Sequence, residues 1–295
     1  MENDTSYDYL GGMCMRILLM ILALLIPSSM TVNAETTLPS EVEKIDVKLA
    51  EHQAAVTFLG LVTGEAMLVQ GSNGENILIN IGGQGAISEL EGWLSLYKVK
   101  ELTTLILTNN GEKLSIEKID KLINKYKIKE IVTTPKVSSF ITKETSNQIP
   151  VTVWNEGTKI EILPEMFADV QFLGNEEHEG MDLMLRFFKH NLFLMNSFSK
   201  RAEQKFLAKN LEDVHVFKIP YRLRDDSLSD QLIQTLNPQI SILFGTEEDQ
   251  LDKNLLRDLQ GIWSEVYFTK KHGTVTIKFT ESNYEIITIP LKGEE

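Results

Sequence analysis

Leu105-Ile106-Leu107-Thr108-Asn109-Asn110-Gly111-Glu112-Lys113-Leu114 is the stretch on which the fold turns. Its first four residues form an apolar run that closes on Thr, the composition of a buried strand. Ser115–Tyr126 follows and reads as a helix. The segment thus joins a strand to a helix through a polar loop.

On the N-terminal side, Ala54–Leu59, Ala66–Gln70 and Asn76–Ile81 are short β-branched or apolar runs. Gly60, Gly64, Gly71 and Gly74 fall in the breaks between them, as hairpins require. Ile87, Leu90, Trp93, Leu94 and Tyr97 stand at helical spacing. After the opening stretch come a strand over Thr103–Thr108, the helix, a strand over Glu130–Thr134 and a short helix around Ser138–Glu144.

A second half follows the same plan. Val151–Trp154, Lys159–Leu163 and Val170–Leu173 read as strands, and Leu183–Phe188 and Asn191–Met195 flank an expected hairpin turn at Lys189-His190. Helix Ser199–Leu211 leads to strand Val214–Ile219, and helix Ser227–Leu236, capped by Ser227, leads to Ile240–Phe244. Helix Lys253–Leu259 precedes strands Glu265–Thr269, Thr274–Phe279 and Tyr284–Ile289, with a turn expected at Lys271-His272-Gly273. Trp93 and Trp154 read as core. Two halves, each a sheet covered by helices, predict an α/β (α+β) protein packed in four layers, α-β-β-α. Residues 54–295 form that domain, and 35–53 a linker or leading strand.

Composition supports a packed core, with 42% hydrophobic and 24% charged residues. A net charge of −13 argues against a generic nucleic-acid binder, because phosphate contacts need clustered Lys and Arg. Arg16 precedes the apolar run Ile17–Ile26, which matches a signal-peptide core and is shorter than the roughly 20 residues of a membrane span. Pro27-Ser28-Ser29 breaks the run, and Val32-Asn33-Ala34 sets small residues at −3 and −1 of a cleavage site between Ala34 and Glu35. Residues 1–34 are therefore expected to be a signal peptide, with an uncleaved N-terminal anchor as the alternative. Glu2, Asp4 and Asp8 are foreign to a basic leader, so Met13 or Met15 is an alternative start. Cleavage would give a secreted or cell-surface protein with no stable membrane span. The single cysteine, Cys14, would leave with the leader, which excludes disulfides and thiolate ligands from the mature chain.

Several phrases, taken in order, resemble the metallo-β-lactamase domain of ComEC-type DNA-uptake (competence) proteins. Phe58-Leu59-Gly60-Leu61-Val62-Thr63-Gly64-Glu65-Ala66 keeps the frame of that family's first hairpin without its first Asp. Ile77-Leu78-Ile79-Asn80-Ile81-Gly82-Gly83 matches its next strand, with Asn80 in place of Asp. Leu105–Thr108 is intact, and Thr269-Lys270-Lys271-His272-Gly273-Thr274-Val275 matches its closing hairpin. The resemblance implies a four-layer metallo-β-lactamase sandwich, a scaffold on which family members bind two divalent metals.

The family's metal ligands are replaced throughout. In its His-x-His-x-Asp-His run the ligand positions hold Asn109, Gly111, Lys113 and Leu114. Ser197 stands for the bridging Asp, and Tyr221 and Arg222 stand for a His pair after Lys218-Ile219-Pro220. Hydrolysis on this scaffold needs metal-activated water, and two cations need about five to seven nitrogen and oxygen ligands. Gly111 and Leu114 offer no donor, while Lys113 and Arg222 add positive charge. None of the five histidines falls on a ligand position. Ser197, Tyr221, Glu112 and Asp182 are polar residues near the expected cleft, but no Gly-x-Ser-x-Gly elbow or placed histidine base accompanies them.

The expectation is an exported, catalytically inactive protein without metal that acts by binding an unknown protein or a small anionic ligand. Lys113 and Arg222 are candidates for oxyanion contact across the old metal pocket. Two alternatives stay open: a metal-dependent phosphodiesterase or nuclease with unconventional ligands, and an accessory to DNA uptake.

Overall fold

The computed structural model describes residues 44–85, 87–109, 114–176, 178–209, 211, 213–219, 228–245 and 253–291. The expected signal peptide with Ala34 and Glu35, and positions Gly111, Lys113, Tyr221, Arg222 and Ser227, lie outside them.

The first sheet opens with an antiparallel meander, β1 (Ala54–Phe58), β2 (Met67–Gly71) and β3 (Asn76–Ile79). It continues with parallel strands β4 (Thr104–Leu107), β5 (Glu130–Thr133) and β6 (Val151–Val153). Their crossovers are α1 (Ile87–Leu96), α2 (Ile116–Tyr126) and α3 (Pro135–Glu144).

The second sheet repeats the scheme. β7 (Lys159–Leu163), β8 (Met166–Leu173), β9 (Met181–Phe187) and β10 (His190–Leu194) are antiparallel. β11 (Val216–Ile219), β12 (Ile240–Leu243) and β13 (Glu265–Phe268) extend it in parallel, linked by α4 (Lys200–Lys209), α5 (Asp230–Leu236) and α6 (Lys253–Gly261). A short helical turn, α7 (Thr269–His272), carries the chain back to the first sheet, where β14 (Thr274–Phe279) pairs with β1 and β15 (Tyr284–Ile289) forms the edge.

Strand alternation builds the layers. Val56, Phe58, Val69, Ile79 and Ile106 point inward from the first sheet and meet Met166, Val170, Leu185, Leu194 and Ile242 from the second. The opposite faces are also apolar: Leu68, Leu78 and Leu105 pack under Trp93 of α1 and Leu122 of α2, while Phe193 and Phe217 pack under Phe206 of α4 and Ile233 of α5. Sheets buried on both faces explain why so many strands read as unbroken apolar runs. The architecture is a four-layer α-β-β-α sandwich, as expected from the sequence.

Four local expectations are corrected. The β9–β10 turn is Phe188-Lys189, and His190 is a strand residue only 1% exposed. Helix α5 begins at Asp230, capped by Ser229, whose Oγ accepts the Leu232 N–H at 3.2 Å. Helix α3 begins at Pro135, capped by Thr134. The 269–275 segment is no hairpin, because β13 and β14 belong to different sheets. Gly273 makes that crossing possible: at φ +75°, a Cβ there would lie 1.9 Å from the Ile289 carbonyl oxygen. The described part of the leading segment holds no strand; Ile45 instead donates its N–H to Leu96 O at 2.8 Å.

Candidate functional site

The first feature at the strand ends is a clamp. Asn80, at φ +60°, is a residue type that tolerates this conformation. Its Oδ1 accepts the Thr108 N–H at 2.9 Å, and its Nδ2 donates to Thr108 Oγ1 at 2.8 Å. Thr108 in turn accepts the Met181 N–H on its carbonyl at 2.7 Å, and Asn109 forms a β-bridge with Gly180. The end of β4 is thereby tied to the start of β9, one sheet to the other. A Cβ on residue 180 would stand 2.5 Å from Thr108 O, so the close approach requires glycine.

Ser197, just beyond β10, is fully buried. Its Oγ accepts the Gly180 N–H at 3.0 Å and donates to Gly180 O at 3.3 Å. The backbone N–H groups of Asn196 and Ser197 donate to Asp182 Oδ1 at 2.5 and 2.9 Å. Asp182 Oδ2 has no hydrogen-bond partner. Burial raises the Asp182 carboxyl to about 6, against the pull of the Ser197 hydroxyl first, then of the two backbone N–H groups and of Lys218.

Lys218 supplies the positive charge. It has no solvent exposure, and its Nζ donates to Met195 O at 2.9 Å and Asn196 Oδ1 at 3.0 Å. It also forms an ion pair with Glu65, which the first loop brings over from the other sheet. The Asn196 amide donates onward to Met181 O at 2.7 Å. A fixed ammonium therefore lies within hydrogen-bonding reach of the residue beside Ser197.

At the rim, Glu179 accepts from Ser199 Oγ at 2.7 Å and pairs with Arg201 on α4. Burial opposes ionisation of Glu179, but Arg201 and Ser199 outweigh it and hold the carboxyl below its usual range. The His178 carbonyl accepts the Phe198 N–H at 2.7 Å, which sets this loop against the Ser197 turn.

Of the seven ligand-equivalent positions, the described ones are Asn109, Leu114 and Ser197. Asn109 is exposed, Leu114 packs into the outer apolar layer of the first sheet, and the Ser197 hydroxyl is engaged by the Gly180 backbone and by Asp182. Of these three, Leu114 has no donor atom and the Ser197 hydroxyl is already bound to the Gly180 backbone, which leaves only Asn109 with an exposed oxygen. His190 and His215 lie at the opposite end of the second sheet, at or just before the starts of β10 and β11. Among the described residues, no three His, Cys, Asp or Glu side chains converge as a metal site. In the sequence, Glu65 and Lys218 stand only as framework residues of the resemblance, and their pairing was missed. A lone Lys inside Val216-Phe217-Lys218-Ile219 is the signal that could have revealed it, because a buried cation demands a partner.

No protein-family model matches the chain, and no curated protein matches it. Solved structures do. The metallo-β-lactamase fold protein YhfI from Bacillus subtilis is 9% identical, with a TM-score of 0.55 over 72% of this chain and 96% of its own. A diphosphatase from the PhnP family is 11% identical, with a TM-score of 0.51 over 77% and 97%. The CmlA β-hydroxylase E377D mutant is 11% identical, with a TM-score of 0.54 over 78% of this chain and 54% of that one. At these identities the likeness is one of fold. No helix among the described residues is long and apolar enough to cross a membrane.

Proposed function

We propose that this chain is an exported metallo-β-lactamase-fold protein that acts by binding and has lost the metal-dependent hydrolysis of the scaffold. The observation that supports the reading is Ser197: the hydroxyl at the bridging position is fully buried and bound to the Gly180 backbone and the Asp182 carboxyl. The partner is an unidentified protein or a small anion, for which Lys113 and Arg222 remain the candidate contacts. Export rests on the apolar run Ile17–Ile26 and the small residues before Glu35.

The order of the framework phrases favours a second reading, an accessory role in DNA uptake like that of ComEC-type domains. The net charge of −13 counts against direct DNA contact, so that role would run through a protein partner.

The test is metal stoichiometry by elemental mass spectrometry, on purified protein dialysed against zinc- and manganese-containing buffer. Near-zero metal is expected. One or two tightly held ions per chain would overturn the reading and point to hydrolysis with an unconventional ligand set.

A further inference from the structure

The outer face of the second sheet is only partly covered by α4. Beside the C-terminal end of that helix lies a cleft of about 470 Å³. Met184 and Leu211 give it some apolar lining, and Gln171, Arg186, Asn191, Lys209 and Asp213 give it polar groups. It lies on the outward faces of β8–β10, away from the Ser197 turn, so its chemistry does not depend on whether the strand-end centre carries metal.

The charges in this cleft differ in how far the protein satisfies them. Lys209 is engaged: its Nζ donates to Gln171 O and pairs with Glu156 at 3.1 Å. Arg186 is held less firmly. Its Nη2 stands 3.5 Å from Asp169 Oδ2, beyond good hydrogen-bond length, and its Nε is buried without an acceptor. Its side chain is 41% exposed, which leaves the guanidinium within reach of a ligand. Asp213 takes part in no ion pair among the described residues. Asn191 connects the two segments: it is the cross-strand partner of Arg186 in the β9–β10 ladder, and its Nδ2 donates to the Asp213 main-chain carbonyl at 3.1 Å. Opposed residues in such a ladder have Cβ atoms about 5 Å apart. Arg186 and Asp213 thus both line the cleft, connected through Asn191, which pairs with Arg186 across the ladder and holds the Asp213 main chain.

A simple anion would meet Asp213, and a simple cation would meet Arg186. An apolar ligand would strip water from both charges without replacing it. A molecule with both charges has a partner for each. We propose that this cleft binds a small zwitterion of the amino-acid and dipeptide class, its carboxylate on Arg186 and its ammonium on Asp213. The planar guanidinium matches a carboxylate, and the side-chain amides of Gln171 and Asn191 suit a peptide bond between the charged ends. The volume lies in the ordinary range for small-molecule sites.

The experiment is an NMR chemical-shift titration of the isotope-labelled protein with alanyl-alanine, its N-acetylated form and its C-terminally amidated form. Saturable shifts at Arg186, Asn191 and Asp213 are expected for the dipeptide, with capping of either end weakening binding about ten-fold or more. R186Q should remove the sensitivity to amidation, and D213N the sensitivity to acetylation. R186K, which keeps charge but loses the fork, should bind more weakly than wild type while preserving the fold. K189Q, on the exposed β9–β10 turn, should bind as wild type. The proposal is overturned by the absence of saturable shifts in the wild type, or by equal sensitivity to capping in wild type, R186Q and D213N.

Discussion

Lys218 on β11 and Glu65 in the loop before β2 form a buried ion pair that joins the two sheets at their strand ends. With both groups removed from water, each is the main reason the other tolerates burial. Lys218→Met should therefore leave a buried carboxylate without its counter-charge and cost about 3–5 kcal/mol. Adding Glu65→Gln should recover a large part of that loss. Urea denaturation of the single and double variants measures the difference, and equal stabilities would show that the pair is not coupled.

Asp182 gives a pH signature. Its folded carboxyl titrates at about 6, above the ordinary value of 3.8, so the folded state holds the proton more tightly than the unfolded chain. Stability from this group is greatest below 3.8 and falls as pH rises through 6, by about 3 kcal/mol for a shift of this size. Asp182→Asn should flatten that part of the stability profile between pH 4 and 6, as read from denaturation midpoints.

His190 acts in the opposite sense. Its Nε2 donates to Thr280 O at 3.0 Å, its Nδ1 has no partner, and the His215 ring lies 5.4 Å away. Burial first, then His215 and Lys189, push the imidazole below 6.5 against the Thr280 hydrogen bond. The folded state therefore binds the proton less readily than the unfolded chain, and stability is lost as pH falls below 6.5. His190→Gln should remove that acid sensitivity, visible as a higher thermal midpoint relative to wild type at pH 5 than at pH 8.

Ser197→Ala removes the acceptor of the Gly180 N–H. A buried donor left without a partner costs about 1–3 kcal/mol, so a loss of that order is expected on denaturation. Ser197→Asp, which restores a carboxylate at the bridging position, should destabilise more, since it meets Asp182 and Gly180 in a closed space. Zinc that rescues the stability of Ser197→Asp would show that the site opens to metal.

Much of the fold was legible because both sheets are apolar on both faces, so strand and helix periods stand out along the chain. Ile87–Leu96 and Asp230–Leu236 fall within the helices expected there. The crossing after Phe268 was not legible: a strand, a polar stretch ending in Gly and another strand read the same whether the strands pair or part. Phe188 hid the β9–β10 turn, since a second Phe extends an apolar run although this one is 43% exposed. At the candidate site, the residue types at Asn109, Leu114 and Ser197 were readable from the chain itself. What surrounds them was not, because Glu65, Asp182 and Lys218 come from three distant segments that only the folded sheets bring together. Arg186 and Asp213 escaped for the same reason.

The return of β14 to pair with β1 has a consequence for how the chain acquires its structure. Ala54 lies opposite Phe279, so the first strand of the domain waits for nearly the last one before its outer edge is covered. Pairing so remote in sequence carries a high loop-closure cost and slows folding. The second sheet, whose strands are contiguous from β7 to β13, has no such dependence and is expected to mature first. Until Gly273 makes its crossing, β1 is an open edge, and a nascent or truncated chain ending before that residue is the form most prone to aggregate.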